Sequence, residues 1–215
     1  MSNKTRIFYT AIGVVLIVIR EILDRRFYSR KYRSCKDLKL HLGCGDKIKK
    51  GWVNIDFSNT KADLLVDLRK KLPFSTGSCA IIYSHHFLEH LGYPEPANSF
   101  LKECYRILKP GGFFDVGVPD CEQGIRAYFE GDNAEFLRLI GEQNHPKWCH
   151  TRMEHINYRF RQDGEHLFAY DFETLKYCLE RQGFKEVNRR DFDRERDIEE
   201  LALYTLYVTA TKPVV

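Results

Sequence analysis

His85 and His86 close a short apolar run, CAIIYSHH, and Glu89 and His90 follow about one turn later. An imidazole at the end of a buried strand can take a proton from a hydroxyl nucleophile, and His86 has the strongest position for that work. The same ring could equally be a hydrogen-bonding partner of the helix start beneath it. Glu89 and His90 carry two readings as well, a chemical one and a role in fixing the loop by capping. Asp120 directly follows another apolar run, FFDVGVP, where it could orient a substrate or cap the next helix. His166 is a further candidate proton carrier.

A second group of residues points to a ligand. In LKLHLGCGDKIKKGWVNIDF, residues 38 to 57, an apolar run meets a glycine turn and a second run ends in Asp56. Gly43 and Gly45 let the backbone turn tightly and approach a ligand without intervening side chains. Cys44 between them is a small packing residue rather than a nucleophile. Asp56 at the C-terminal edge of a strand can accept hydrogen bonds from two vicinal hydroxyls, as acids do for a ribose in doubly wound sheets. These are the parts of a nucleoside site.

The elements that must position these groups alternate between short strands and helices, the pattern of an α/β sheet. Strands are expected at 38–42, 53–56, 62–68, 79–86 and 113–120, and KEVNRRDFD and LALYTLYVTATK supply two more. NSFLKECYRILKPGG places Phe100, Leu101, Cys104, Ile107 and Leu108 on one helical face and ends in Pro110, Gly111 and Gly112. YDFETLKYCLERQGF repeats the design with Asp171 as N-cap and Gly183 as the stop. Between them, residues 121–165 form an irregular insert with two short helical patterns, GIRAYFEG and NAEFLRLIG, and a polar, aromatic remainder. Such inserts are more often functional than idle.

The chain has 215 residues, 43% of them hydrophobic, enough for one domain with a sizeable core. A net charge of +4 is too weak to announce a nucleic-acid binder. Seven cysteines without a CxxC pair argue against a disulfide framework or a structural zinc site and for reduced thiols in the cytoplasm. His145, His150, His155 and His166 in the insert match no common metal spacing, so no metal is expected. Residues 1–34 read as an apolar and basic helical segment ahead of the domain at 35–215. Its window IFYTAIGVVLIVI, residues 7–19, is shorter than the ~20 residues a bilayer-crossing helix needs. The basic residues that follow leave three options: surface contact with a membrane through residues 7–26, a short signal anchor, or packing on the domain.

Taken in order, LHLGCG, WVNIDF, ADLLVDL with LPF, IIYSHHFLEHL, ECYRILKPGGFFDVGVPD and HLFAYDFETLKYCLERQGF resemble the class I S-adenosylmethionine-dependent methyltransferases. The likeness is to the type 11 branch, and it covers about residues 38 to 212. It implies a Rossmann-like, doubly wound sheet of seven strands, mostly parallel with one antiparallel strand, and S-adenosylmethionine as cofactor. Gly43, Cys44 and Gly45 would line its methionine portion, Asp56 its ribose, and Asp67 with Leu68 its adenine. Ser84 and His85 would lie beside the sulfonium. Several members of this branch are associated with polysaccharide or other glycan modification, so the resemblance suggests a sugar, glycan or other small acceptor.

Three features depart from the family pattern. His41 stands where an acid is usual, Lys47 replaces the third glycine, and Asp46–Gly51 is too short for an ordinary crossover helix. The first helix is therefore expected to be one turn or a loop. A nicotinamide oxidoreductase is disfavoured because Ile48 occupies the last glycine position of GxGxxG. Nucleic-acid modification would call for an NPPY-like loop, where this chain has SHHF. A methyltransferase-like scaffold that binds a partner through its aromatic insert is the rival from outside enzymes.

Overall fold

The computed structural model describes residues 34–57, 61–140 and 144–214, together with 19, 22, 23, 27 and 30–32. Short β-branched and leucine-rich runs form seven strands: β1 (Leu38–Leu42), β2 (Val53–Asp56), β3 (Leu64–Leu65), β4 (Cys79–His85), β5 (Leu108–Pro119), β6 (Lys185–Arg189) and β7 (Thr205–Thr211). They make one sheet in the order β3-β2-β1-β4-β5-β7-β6. β1 pairs in parallel with both β2 and β4, β2 with β3, and β4 with β5. β7 alone runs antiparallel to its neighbours β5 and β6. The expected mixed sheet is therefore present, and the strand order reverses between β1 and β4, where ligands bind in such sheets.

The sheet has two unlike faces. Leu40, Leu42, Ile82, Phe114, Val116 and Val208 pack against α1 (Ala97–Ile107) and α5 (Phe172–Arg181), whose Phe100, Leu101, Cys104, Leu175 and Leu179 share their core. The alternate residues of the strands are polar or aromatic and yet buried: His41, Asn54, Tyr83, His85, Asp115 and Tyr207. Lys49, in the loop between β1 and β2, lies over the Tyr83 ring, and Arg190 donates to both Asp115 and Asp197. A charged segment thus covers the face that those residues line.

The connection from β1 to β2 contains turns and no helix, as its six residues Asp46–Gly51 require. Asp171 caps α5 by accepting from the Thr174 amide. Several boundaries differ from the sequence reading: β5 begins at Leu108 rather than at 113, and β6 and β7 are shorter than the runs that supply them. α1 stops at Ile107, not at the glycine pair, because Leu108 turns extended to pair with Cys79 and Pro110 cannot continue a helix. The third strand shrinks from residues 62–68 to Leu64–Leu65.

Within the insert, α2 (Cys121–Glu130) and α3 (Asn133–Ile140) match the two expected patterns. A third helix, α4 (Arg152–Arg161), was not legible: Arg152–Arg161 is polar almost all round, with His155 its buried residue. Its start is set by a capping box, Thr151 accepting from the Glu154 amide while Glu154 accepts from Thr151. The apolar window 7–19 lies outside the described residues apart from Ile19. No helix among the described residues is long and apolar enough to cross a membrane.

Candidate functional site

The glycine turn and the end of β2 meet across the switch point. The amides of Gly43 and Cys44 both donate to the Ile55 carbonyl, at 2.9 and 3.2 Å, which folds the turn onto β2. Gly45 then donates its amide to Asp56 Oδ2 at 2.9 Å. Gly43 sits at φ +69°, and a Cβ there would lie 2.7 Å from the Phe87 side chain, so only glycine fits. At Gly45, φ is +49° and a Cβ would meet nothing within 4 Å, which leaves open space over the loop. Cys44 is buried against Ala62 and Leu65, and burial pushes its thiol up to about 12, as a packing residue requires. His41, in the place of the usual acid, lies 3.3 Å from Asn54 Oδ1. Burial and then the Lys49 charge lower it to about 3, so it is neutral.

At the expected adenine loop, Asp67 is clamped by Arg69, whose Nε and Nη2 donate at 2.9 and 3.0 Å. Burial favours its neutral form, but the Arg69 bonds and charge outweigh this and hold the carboxyl below its usual value. The Leu68 side chain belongs to the core.

At the end of β4, successive residues point to opposite faces. The Ser84 hydroxyl is buried without a hydrogen-bond partner among the described residues. His85 turns toward the polar face, its Nε2 3.0 Å from Asp115 Oδ1 and its ring stacked on Tyr83 at 3.7 Å. Gly117 makes room for it, since a Cβ there would lie 2.8 Å from the imidazole. Burial lowers His85 to about 4, against the pull of Asp115. Its side chain therefore belongs to the structural network of the polar face.

His86 takes a left-handed conformation, φ +52°, that a residue with a Cβ rarely adopts. Its amide donates to the Gly117 carbonyl at 2.8 Å, and its Nε2 lies 2.8 Å from Thr205 Oγ1. The Thr205 hydroxyl proton is directed to the Leu201 carbonyl, at 2.8 Å, so Thr205 accepts and His86 Nε2 donates. Nδ1 is thereby left toward Glu89, 3.3 Å from Oε1.

His86 opens into a cleft of about 340 Å³ that Glu89, His90, His166, Arg159 and Tyr204 also line. Glu89 is only 1% exposed, and neither of its carboxylate oxygens has a well-aligned hydrogen bond among the described residues. Burial alone would raise its pKa, but the imidazoles of His86, His90 and His166 outweigh that and hold it below the usual range. The turn Leu88–His90 has no side-chain cap, so Glu89 does not serve as one. His166 arrives from the far side of the insert because the Glu89 carbonyl accepts the Leu167 amide at 2.8 Å. Burial lowers the His166 pKa from its ordinary value, against the pull of the Glu89 charge.

The structure thus brings His86 and His166 together and leaves Asp120 out. Asp120 Oδ1 accepts from the Gln123 amide at 3.0 Å and caps α2; it does not line the cleft. Of its two readings the capping one holds, because a carboxylate at a helix start gains both a hydrogen bond and the helix dipole. Arg159, Tyr204 and Thr205 were missed by sequence reasoning, since nothing in their neighbourhoods marks them. Glu89 did carry a signal, the spacing His86-x-x-Glu89-His90, but it was open to a capping reading as well. The structure also groups His145, Cys149 and His155, which spacing alone did not suggest.

Residues 40–116 match the family model described as a methyltransferase domain. Over 81 residues, 38% of the chain, the sequence is 30% identical to an mRNA cap guanine-N(7) methyltransferase of Caenorhabditis elegans, and the match spans 20% of that protein's length. Among solved structures, a SAM-dependent methyltransferase from Archaeoglobus fulgidus superposes with a TM-score of 0.53 and 18% identity, covering 90% of this chain and 94% of the other. A possible exported protein from Bordetella parapertussis gives a TM-score of 0.52 at 16% identity, over 100% of this chain and 74% of the other. These two structures share the fold.

Proposed function

We propose, on the premise that this chain is a class I methyltransferase whose residues 40–116 match the methyltransferase-domain family, that it moves a methyl group from S-adenosylmethionine to a hydroxyl of a sugar or glycan acceptor. The observation that carries the donor half is the bond from the Gly45 amide to Asp56 Oδ2, 2.9 Å, which fixes an acid beside an open glycine turn at the switch point. Asp56 receives the ribose hydroxyls there, and the backbone of Gly43–Gly45 receives the methionine end. Residues 84 and 85 contribute backbone beside the sulfonium.

The transfer is an in-line displacement, so the protein's main work is to hold oxygen, methyl carbon and sulfur in a row. His86, at the rim of β4 with its ring fixed by Thr205, takes the hydroxyl proton as the O–C bond forms. The cleft beyond it is lined by histidine, arginine and tyrosine groups, which suits a hydroxyl-rich acceptor better than an apolar one. Ile19, Ile22, Leu23 and Phe27 are 47–62% exposed, and with the basic residues around them they support contact with a membrane surface, where lipid-linked glycans are found.

Calorimetry with S-adenosylhomocysteine tests the donor half. Saturable heat is expected from the wild-type chain; its absence at millimolar ligand would overturn the assignment. Flotation with anionic vesicles, comparing the full chain with one that starts at Ser34, tests the membrane contact: equal flotation overturns it.

A further inference from the structure

Glu89, His90 and His166 each offer a ligand atom, and the three atoms lie within 4.8 Å of one another in the acceptor cleft. We propose that these residues form a divalent transition-metal site that holds the acceptor's hydroxyl.

The tautomers are set for it. His90 Nδ1 lies 2.9 Å from the Glu165 carbonyl, and His166 Nδ1 lies 3.1 Å from the Arg159 carbonyl. A carbonyl can only accept, so in both rings Nδ1 carries the hydrogen and Nε2 keeps its lone pair. An imidazole that donates one nitrogen to a backbone carbonyl and bares the other is the usual state of a metal-bound histidine. The two rings stand edge to face with centroids 5.0 Å apart.

Glu89 supplies the independent observation. Its carboxylate is buried and faces these rings; Oε1 lies 3.3 Å from His86 Nδ1, and neither oxygen has a well-aligned hydrogen bond among the described residues. A buried carboxylate without such bonds is costly unless a cation meets it. The Glu89 carbonyl, accepting from Leu167 and Phe168 at 2.8 and 3.3 Å, holds His166 in place, so the site is built by the same contact that closes the cleft.

Two imidazoles and one carboxylate suit zinc or another first-row divalent ion, whereas magnesium prefers oxygen alone. Three protein ligands leave a position open to the cleft. The role toward the acceptor rests on the methyl-transfer reading. The acceptor's hydroxyl oxygen binds the ion there, and its proton leaves to the base described above. The oxygen's electron pair forms the O–CH3 bond, and the C–S pair stays on sulfur to give S-adenosylhomocysteine. The other cluster, His145, Cys149 and His155, differs in that its two imidazoles bond each other at 2.9 Å and so are satisfied without an ion.

The test titrates the metal-stripped full chain with Co2+ by calorimetry and visible absorption, alongside E89Q, H166A and C149A. One equivalent is expected to bind to the wild type and to C149A. E89Q and H166A are expected to bind about 100-fold or more weakly, beyond the ~10–100-fold that outer-shell changes cost. Unchanged affinity in E89Q, or loss only in C149A, would overturn the site. If E89Q does not fold, H90A carries the same expectation at a less buried position. S-adenosylhomocysteine binding in the same preparations separates the two readings. Retained S-adenosylhomocysteine binding without Co2+ overturns the metal site alone, and the converse overturns the donor reading while leaving the metal site standing.

Discussion

The backbone carbonyl of Glu89 accepts the Leu167 amide at 2.8 Å, joining a turn after β4 to a segment almost eighty residues later. That bond sets one wall of the cleft beside His86, proposed above as the acceptor site, because it carries His166 to within reach of His90. The donor end of the site is built locally, by β1, β2 and the turn between them. The two ends therefore respond to different substitutions.

Asp56→Ala removes the carboxylate proposed to receive the ribose hydroxyls while touching a half-buried position at the C-terminal end of β2. A hydrogen bond to a charged group contributes about 1.5–3 kcal/mol, so S-adenosylhomocysteine affinity is expected to fall roughly 10- to 100-fold. Calorimetry on a variant with an unchanged melting temperature checks this.

Gly43→Ala and Gly45→Ala separate folding from binding. Both residues have positive φ, which costs an alanine about 1–2 kcal/mol, but only at Gly43 would the new Cβ strike Phe87, at 2.7 Å. Gly43→Ala is expected to lower urea stability by about 2 kcal/mol or more. Gly45→Ala is expected to fold with a smaller loss and to show its main effect as weakened donor binding, since its Cβ enters the open space.

The donor end was legible in the sequence because its parts are contiguous: a strand, two glycines, a strand and an acid. The sheet was legible for the same reason, in short apolar runs with clear stops. The acceptor end was not. His166 was a candidate, but its place beside Glu89 depends on the Leu167 amide bonding to the Glu89 carbonyl, and Arg159 is held by its guanidinium on the Tyr204 carbonyl; no local pattern records either contact, and α4 is too polar for its helical period to show. The polar face of the sheet was hidden too, since His41, His85 and Asp115 alternate with apolar neighbours as surface residues would, yet are buried.

His86→Ala is expected to lower turnover at least about 100-fold, the lower bound for losing a general base, with donor affinity within about twofold. Thr205→Val, which removes the acceptor of His86 Nε2, should give a smaller fall in the same direction. Single-turnover rates with saturating donor decide this; unchanged rates in His86→Ala would reduce that residue to structure.

Stability should fall as the medium turns acidic. Burial and the Lys49 charge depress His41 to about 3 in the fold, from 6.5 when exposed. The unfolded chain therefore binds the extra proton first: stability is full above pH 6.5 and is lost progressively as pH falls from there toward 3. His85, lowered to about 4 by burial, acts in the same sense. Melting temperature across that range should drop less steeply in His41→Gln than in the wild type, and identical slopes would remove His41 from the account.

Arg190 holds the polar face together. It donates to Asp115 Oδ1 at 2.7 Å and to both oxygens of Asp197, at 2.6 and 2.8 Å. The side chains of both acids are almost wholly buried, at 1% and 0% exposure, and that of Arg190 is only 12% exposed. Arg196 also reaches Asp115, at 3.2 Å, but its side chain is 37% exposed and can replace little of the lost charge. Arg190→Met would leave both buried carboxylates without their shared guanidinium, with His85, 3.0 Å from Asp115 and 3.8 Å from Asp197, between them. Removing one partner of a buried ion pair costs about 3–5 kcal/mol, so the variant should unfold at markedly lower urea. Adding Asp115→Asn should restore part of that loss, because it removes one of the two stranded charges. A double-mutant cycle by urea unfolding measures both steps, and additive losses would show that Asp115 and Arg190 are not coupled.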